Sequence, residues 1–333
     1  MSDVGIEARP PRRNAVAKPA GDQAPPSTGR GPGPGRRRSV EKRQRPLWML
    51  IPGGVLMVLI IGVPLIIGLY ISLIDLDQYT LRQWITAQFV GLQNYVEAVT
   101  QTTLLRSIWI SVSFAVISTA VTVPLGVAAA VVTQNAYRGR SGVRAIFLIP
   151  YVLPSFVVAS VWRTMLQPDG IVNHILGKVG IDSVLWLSGA ASYWTLILVE
   201  IWAAWPFIYL LALSGLQSVD GEVHEASALD GASWWNKLRY VVFPYLKGPV
   251  SLAFLLATLN HINNFTLPFV LFGAPAPDNV NVLPMIVYVT SFQSFRFGLS
   301  AAMAVVSLIL IAIPLFIYLR AVKLDVQDEG GKK

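Results

Sequence analysis

The chain has 333 residues, 54% of them hydrophobic and only 13% charged, where soluble domains carry about a quarter charged residues. Its formal net charge is +8 and it has no cysteine, which excludes disulfides, thiolate catalysis and cysteine metal sites. Several apolar runs reach the roughly 20 residues that a membrane-crossing helix needs, so the fold class is an all-α polytopic membrane protein.

In chain order, residues 1–46 come first and hold eleven of the 26 Lys and Arg, among them Arg36-Arg37-Arg38 and Lys42-Arg43-Arg45. This stretch is rich in Pro and Gly ("GRGPGPGRRR") and has no apolar period. It cannot bury enough surface to offset its ordering entropy, and reads as a disordered basic tail. Its basic end abuts the first apolar run, where anionic headgroups favour Lys and Arg, so membrane lipids rather than nucleic acid are its expected partner. The run that follows is too long for a signal peptide and lacks a small-residue cleavage pattern.

Six spans are expected. Residues 47–74 carry no charge and form the first; the second covers about 107–133 and ends at "QNAYRGR". The third, about 145–162, is short and holds Pro150 and Pro154, which predicts a kinked or broken helix. The fourth, about 192–216, carries Glu200, Trp202 and Trp205 inside an otherwise apolar run. The fifth, about 249–272, contains Asn260, His261, Asn263 and Asn264, and the sixth covers about 299–319 before a short tail, 326–333. Loop charge sets the orientation. The N-terminal tail, the 134–144 and 217–248 loops and the C-terminus hold 21 basic residues, and the alternate loops hold five. Both termini are therefore expected in the cytoplasm.

The cytoplasmic loop 217–248 is too polar for lipid and too patterned for a plain linker. "GEVHEASAL" favours a short helix with Glu222 and Glu225 near its positive end. Ala226, Ser227 and Ala228 keep that helix thin enough for another protein surface to approach. Asp230-Gly231 is a turn signal, after which Ser233 can cap a second helix with an apolar stripe of Trp234, Trp235, Leu238, Val241 and Val242. Pro244 marks where that helix should end or bend. An interfacial amphipathic helix competes with a docking role for this unit. A zinc site of the H-E-x-x-H type does not, because position 228 is alanine.

Glu225-Ala226-Ser227, Asp230-Gly231-Ala232, Trp235, Leu238, Val241 and Phe243-Pro244 resemble the "EAA" loop of binding-protein-dependent ABC importer permeases, in the spacing of the carbohydrate importers. Ser227 stands where the second alanine is usual, and Phe243 where leucine is. "LNHINNFTLPFVLFG" and "VYVTSFQSFRFGLSAAMAV" are also similar to sugar-permease segments, and the resemblance covers about residues 47–325. It implies a six-span permease domain in a bacterial or archaeal cell membrane. The implied partners are a second homologous permease, two ATPase subunits and an extracytoplasmic substrate-binding protein. It also implies that the loop is a coupling helix seated on the ATPase, with Glu225, Ala226, Ser227, Asp230, Gly231 and Ala232 as contact residues.

The chain itself shows no chemistry. Gly177-Lys178 and Gly331-Lys332 lack the phosphate-loop pattern, and three histidines without cysteine offer no convincing metal cluster. It reads as a non-catalytic subunit holding no cofactor, with ATP and Mg bound by the partner ATPase. Polar groups inside spans are costly and are default functional candidates. Asn260, Asn263 and Asn264, at i, i+3 and i+4, would place three amides on one helix face, which suits a ligand covered in hydroxyls. Trp202 and Trp205 offer faces on which sugar rings stack, and Glu200 has no sequence-adjacent base. Helix–helix hydrogen bonding is the competing role for the asparagines, and packing for the tryptophans. A secondary carrier or channel, an integral-membrane enzyme, and an ABC permease for another solute class are the alternatives.

Overall fold

A computed structural model describes residues 51–218, Leu229 and 233–330. The basic tail and all six residues of the expected ATPase contact lie outside the described residues. The described part falls almost wholly in one compact unit, Gly54–Lys333; only residues 51–53, which are helical, belong to the other, Met1–Gly53. Among the described residues the regular structure is helical, joined by turns and irregular loops, apart from one isolated antiparallel bridge between Ile74 and Phe89.

Helix α1, Ile51–Ile71, has no buried residue, as expected of an apolar helix facing lipid. It contains a wide turn, Val58–Gly62, closed by the Val63 N–H on the Val58 carbonyl. A second such turn, Leu238–Val242, links Trp234–Lys237 to a later helix. Each turn ends two residues before a proline, Pro64 or Pro244. Proline offers no N–H to the preceding turn and its ring crowds the carbonyl four residues back, and a wider turn relieves both. The helix expected to end or bend at Pro244 therefore widens and continues.

Helix α2, Gln93–Thr100, is a short connector, and α3, Leu104–Thr133, is a full span. Next come α4, Arg140–Val152, and α5, Ser155–Met165, bent by 92° about the extended Leu153 and Pro154. The break sits at the second of the two prolines, while Pro150 is held inside α4. After the short α6, Ile171–Lys178, comes α7, Ala191–Gln217, which packs against α3 and α4. The fifth expected span is helical earlier than its sequence suggests. Helix α8, Phe243–Ile262, takes in Lys247, and after Asn263–Phe265 a separate helix α9, Thr266–Phe272, follows. Helices α10, Leu283–Phe292, and α11, Phe297–Gly330, complete the described residues.

Four of these helices are long and apolar enough to cross a membrane, α1, α3, α7 and residues 297–321 of α11; the bent pair α4–α5 makes a fifth if taken as one span. The α8–α9 pair is not among them.

Small residues let α7 sit close to two neighbours. A Cβ on Gly126 of α3 would lie 2.6 Å from the Ile208 Cβ, and one on Gly215 would lie 2.7 Å from the Pro249 Cγ of α8. Close backbone approach of this kind is how membrane helices gain packing contacts without a hydrophobic driving force. Two apolar clusters lie along α7. One joins Phe114, Leu196, Leu267, Leu271 and Met285; the other joins Tyr209, Ala212, Leu216 and Leu246 nearer the far end of α7.

Candidate functional site

Glu200 lies nine residues into α7, so about 14 Å along the helix axis from its start. Its neighbours Leu196, Ile197 and Val199 are core residues, and the carboxylate keeps only 7% of its surface exposed. Its two oxygens have separate partners. His261 Nδ1 lies 2.7 Å from Oε1, and the Asn264 amide donates to Oε2 at 2.7 Å. His261 Nε2 is buried with no hydrogen-bond partner, and the ring stands edge-on to Phe114 with centroids 6.1 Å apart.

His261 and Asn264 flank the gap between α8 and α9. His261 belongs to the last turn of α8, and Asn263 ends that helix with φ −96° and ψ 9°. Asn264 lies past the end, and its side-chain oxygen accepts the Leu267 N–H at 3.3 Å, capping the first turn of α9. The three asparagines therefore do not share a helix face. The i, i+3, i+4 rule needs a continuous helix, and this one stops at Ile262. Asn260 is exposed and turns back onto its own helix, donating to the Leu256 carbonyl at 2.9 Å. Asn263 is exposed, and Asn264 faces inward to Glu200.

Asn263 opens onto a groove of about 430 Å³ between the break, α10 and α11. Its walls include Phe265, Tyr288, Phe292, Ser291 and Ser307, the remainder being aliphatic. The aromatic rings form a continuous series. Phe265 stacks on Phe269 with centroids 4.9 Å apart, and Tyr288 lies 5.1 Å from Phe265 and 5.2 Å from Phe292. Sequence reading missed Tyr288 and Phe292, although their i, i+4 spacing in "YVTSF" was a usable signal. A larger groove of about 940 Å³ lies between α3, α8 and α11, but it is mostly apolar and far from this polar cluster in character.

The tryptophans have protein partners. Trp202 meets the Trp162 ring edge-on at 5.7 Å, and Trp205 meets Phe147 at 5.1 Å and Tyr209 at 6.1 Å. Both are half-buried against the two apolar clusters. The structure thus brings Glu200 and Asn264 together and separates both from Trp205, which belongs to the second cluster.

A second carboxylate pair lies at the end of the bundle where α2 meets the start of α11. Arg296 donates through both terminal nitrogens to Glu97, the Nη2–Oε2 bond measuring 2.8 Å. The hydrogen bonds from Arg296 hold the Glu97 carboxyl below its ordinary value of 4.5, and the carboxylate in turn raises the Arg296 guanidinium. Nearby, the backbone N–H of Thr80 lowers the Asp77 carboxyl. Among the described residues no group of three His, Asp or Glu is placed to hold a metal ion.

The family model described as "Binding-protein-dependent transport system inner membrane component" matches residues 122–324. The chain is 30% identical over 291 residues to the "Probable ABC transporter permease protein y4oQ" of Sinorhizobium fredii, covering 84% of this chain and 91% of the relative. It is 28% identical over 234 residues to the trehalose/maltose transport system permease protein MalF of Thermococcus litoralis, covering 70% and 79%. Among solved structures, it is similar to a chain of the bacterial alginate ABC transporter in complex with an alginate pentasaccharide-bound periplasmic protein. That likeness has a TM-score of 0.71 at 18% identity, over 81% of this chain and 91% of that one, and concerns the fold.

Proposed function

Because the chain belongs to the binding-protein-dependent transport system inner membrane components, we propose that it is the sugar- or polyol-conducting permease of an ATP-driven importer. As a family member it is a multi-pass membrane subunit of an ABC transporter. The solute class rests on the groove at the helix break: amide and hydroxyl groups of Asn263, Ser291 and Ser307 beside the faces of Phe265 and Tyr288. Aromatic faces take the apolar side of a sugar ring, and amides both donate to and accept from its hydroxyls. Relatives named for trehalose and maltose transport agree with that chemistry.

In this reading the α8–α9 pair is the sixth crossing, and both termini are cytoplasmic, as loop charge requires. The chain is non-catalytic. ATP and Mg are bound by two partner ATPase subunits, and a second permease and an extracytoplasmic binding protein complete the complex. Glu225, Ala226, Ser227, Asp230, Gly231 and Ala232 form the contact with the ATPase. Glu225 would make a charge-assisted bond to a partner base there, and Gly231 would set the exit angle.

Two measurements test this. The complex, copurified from its host and placed in proteoliposomes with its binding protein, should import a labelled sugar or polyol only when ATP is present. Import of amino acids with no sugar uptake, or transport by the isolated chain without ATP, would sink the assignment. Gly231→Pro and Glu225→Lys should each leave membrane insertion intact while separating ATP hydrolysis from uptake. Unchanged uptake in both variants removes the coupling role.

A further inference from the structure

We propose that Glu200 is a positioning residue: it clamps both sides of the α8–α9 break, and this orients Asn263 and Phe265 toward the groove. The inference rests on the reading of that groove as the solute path, but the clamp itself is a matter of geometry.

A helix break inside a membrane leaves the last carbonyls of one helix and the first N–H groups of the next without partners, and lipid supplies none. Here a single carboxylate spans the break. One oxygen takes His261, on the last turn of α8, and the other takes Asn264, three residues on. Asn264 in turn caps α9 through Leu267. The dihedral freedom of residues 263–265 is thereby limited from both ends. With those two ends fixed, Asn263 is the residue left exposed, beside Phe265 and Tyr288. Glu200 has no surface left for a solute, since both oxygens are occupied and its side chain is 7% exposed. Its influence on transport is therefore indirect.

The chain has no cysteine, so one introduced thiol reports on one position. Asn263→Cys and Leu267→Cys are made separately, and the assembled complex in membrane vesicles is treated with a water-soluble maleimide. Leu267 is 2% exposed. Position 263 should label at least about tenfold faster than 267, a gap of about 1.4 kcal/mol in apparent barrier. Adding Glu200→Ala should shrink that difference to about twofold or less, by freeing the break to rotate. Glu200→Gln, which still accepts the Asn264 amide, should preserve most of it.

A difference that persists in the Glu200→Ala complex overturns the clamp, as does equal labelling of the two positions in the unaltered background. If Glu200→Ala fails to assemble, Asn264→Ala in the same two backgrounds decides: loss of the difference supports the clamp, and its persistence overturns it. Labelling needs no solute. A complex that labels as expected yet imports no sugar or polyol would leave the clamp standing and remove the proposed solute class.

Discussion

Two carboxylates in this molecule tie distant segments together, and they do so under opposite conditions. Glu97 meets Arg296 at the end of the bundle, where the guanidinium is 46% exposed and water and salt screen the pair. Glu200 meets His261 and Asn264 among the packed helices, where the His261 and Glu200 side chains are 1% and 7% exposed. The exposed pair is the weaker tie, because solvent screens it. What decides is the desolvation of whatever is left behind when one partner is removed.

Removing the buried carboxylate should therefore have the largest effect. Glu200→Ala leaves buried His261 and half-buried Asn264 without their hydrogen-bond partner, and should destabilise the complex by about 3 kcal/mol, read as a fall in the thermal transition in detergent. Asn264→Ala removes one bond and one cap and should cost about 1–2 kcal/mol. Asn263→Ala should leave stability nearly unchanged and reduce uptake about fivefold, the value of one net hydrogen bond of about 1 kcal/mol. Reversal of that pattern, with stability lost and uptake kept, would place Asn263 in the framework rather than the groove.

Glu97→Gln should cost about 0.5 kcal/mol, and about 1 M salt should erase even that while leaving the Glu200→Ala effect in place. The smallest effect is that of acid. The folded carboxyl of Glu97 is held below its ordinary value, so its contribution is complete above about pH 4.5 and is lost as pH falls through the folded value. The stability difference between wild type and Glu97→Gln should thus shrink as pH falls below about 4.5. A difference that grows on acidification would contradict the sign of the shift.

Much of the framework was legible from hydropathy alone. Apolar runs near 107–133, 192–216 and 299–319 correspond to α3, α7 and the apolar part of α11, because length in lipid leaves a helix few alternatives. The break in the third expected span was legible from Pro150 and Pro154, though which proline opens it was not. The asparagine pattern misled, because periodicity presumes an unbroken helix and nothing in "NHINNF" announces that α8 stops at Ile262. The Phe265–Tyr288 contact was hidden by a sequence separation of 23, and the Glu200–His261 contact by one of 61.

The sequence by itself determined that the chain is a membrane helix bundle, and its EAA-like loop pointed to the permease family that the match over residues 122–324 then showed. These are local properties: apolar length, charge counts and motif spacing are written along the chain. Only the tertiary structure decided that Glu200 meets His261 and Asn264, and that Asn263 and Asn264, neighbours in sequence, point to different surroundings. Whether a buried carboxylate can be kept depends on donors brought to it from another helix, and no local pattern specifies which ones arrive.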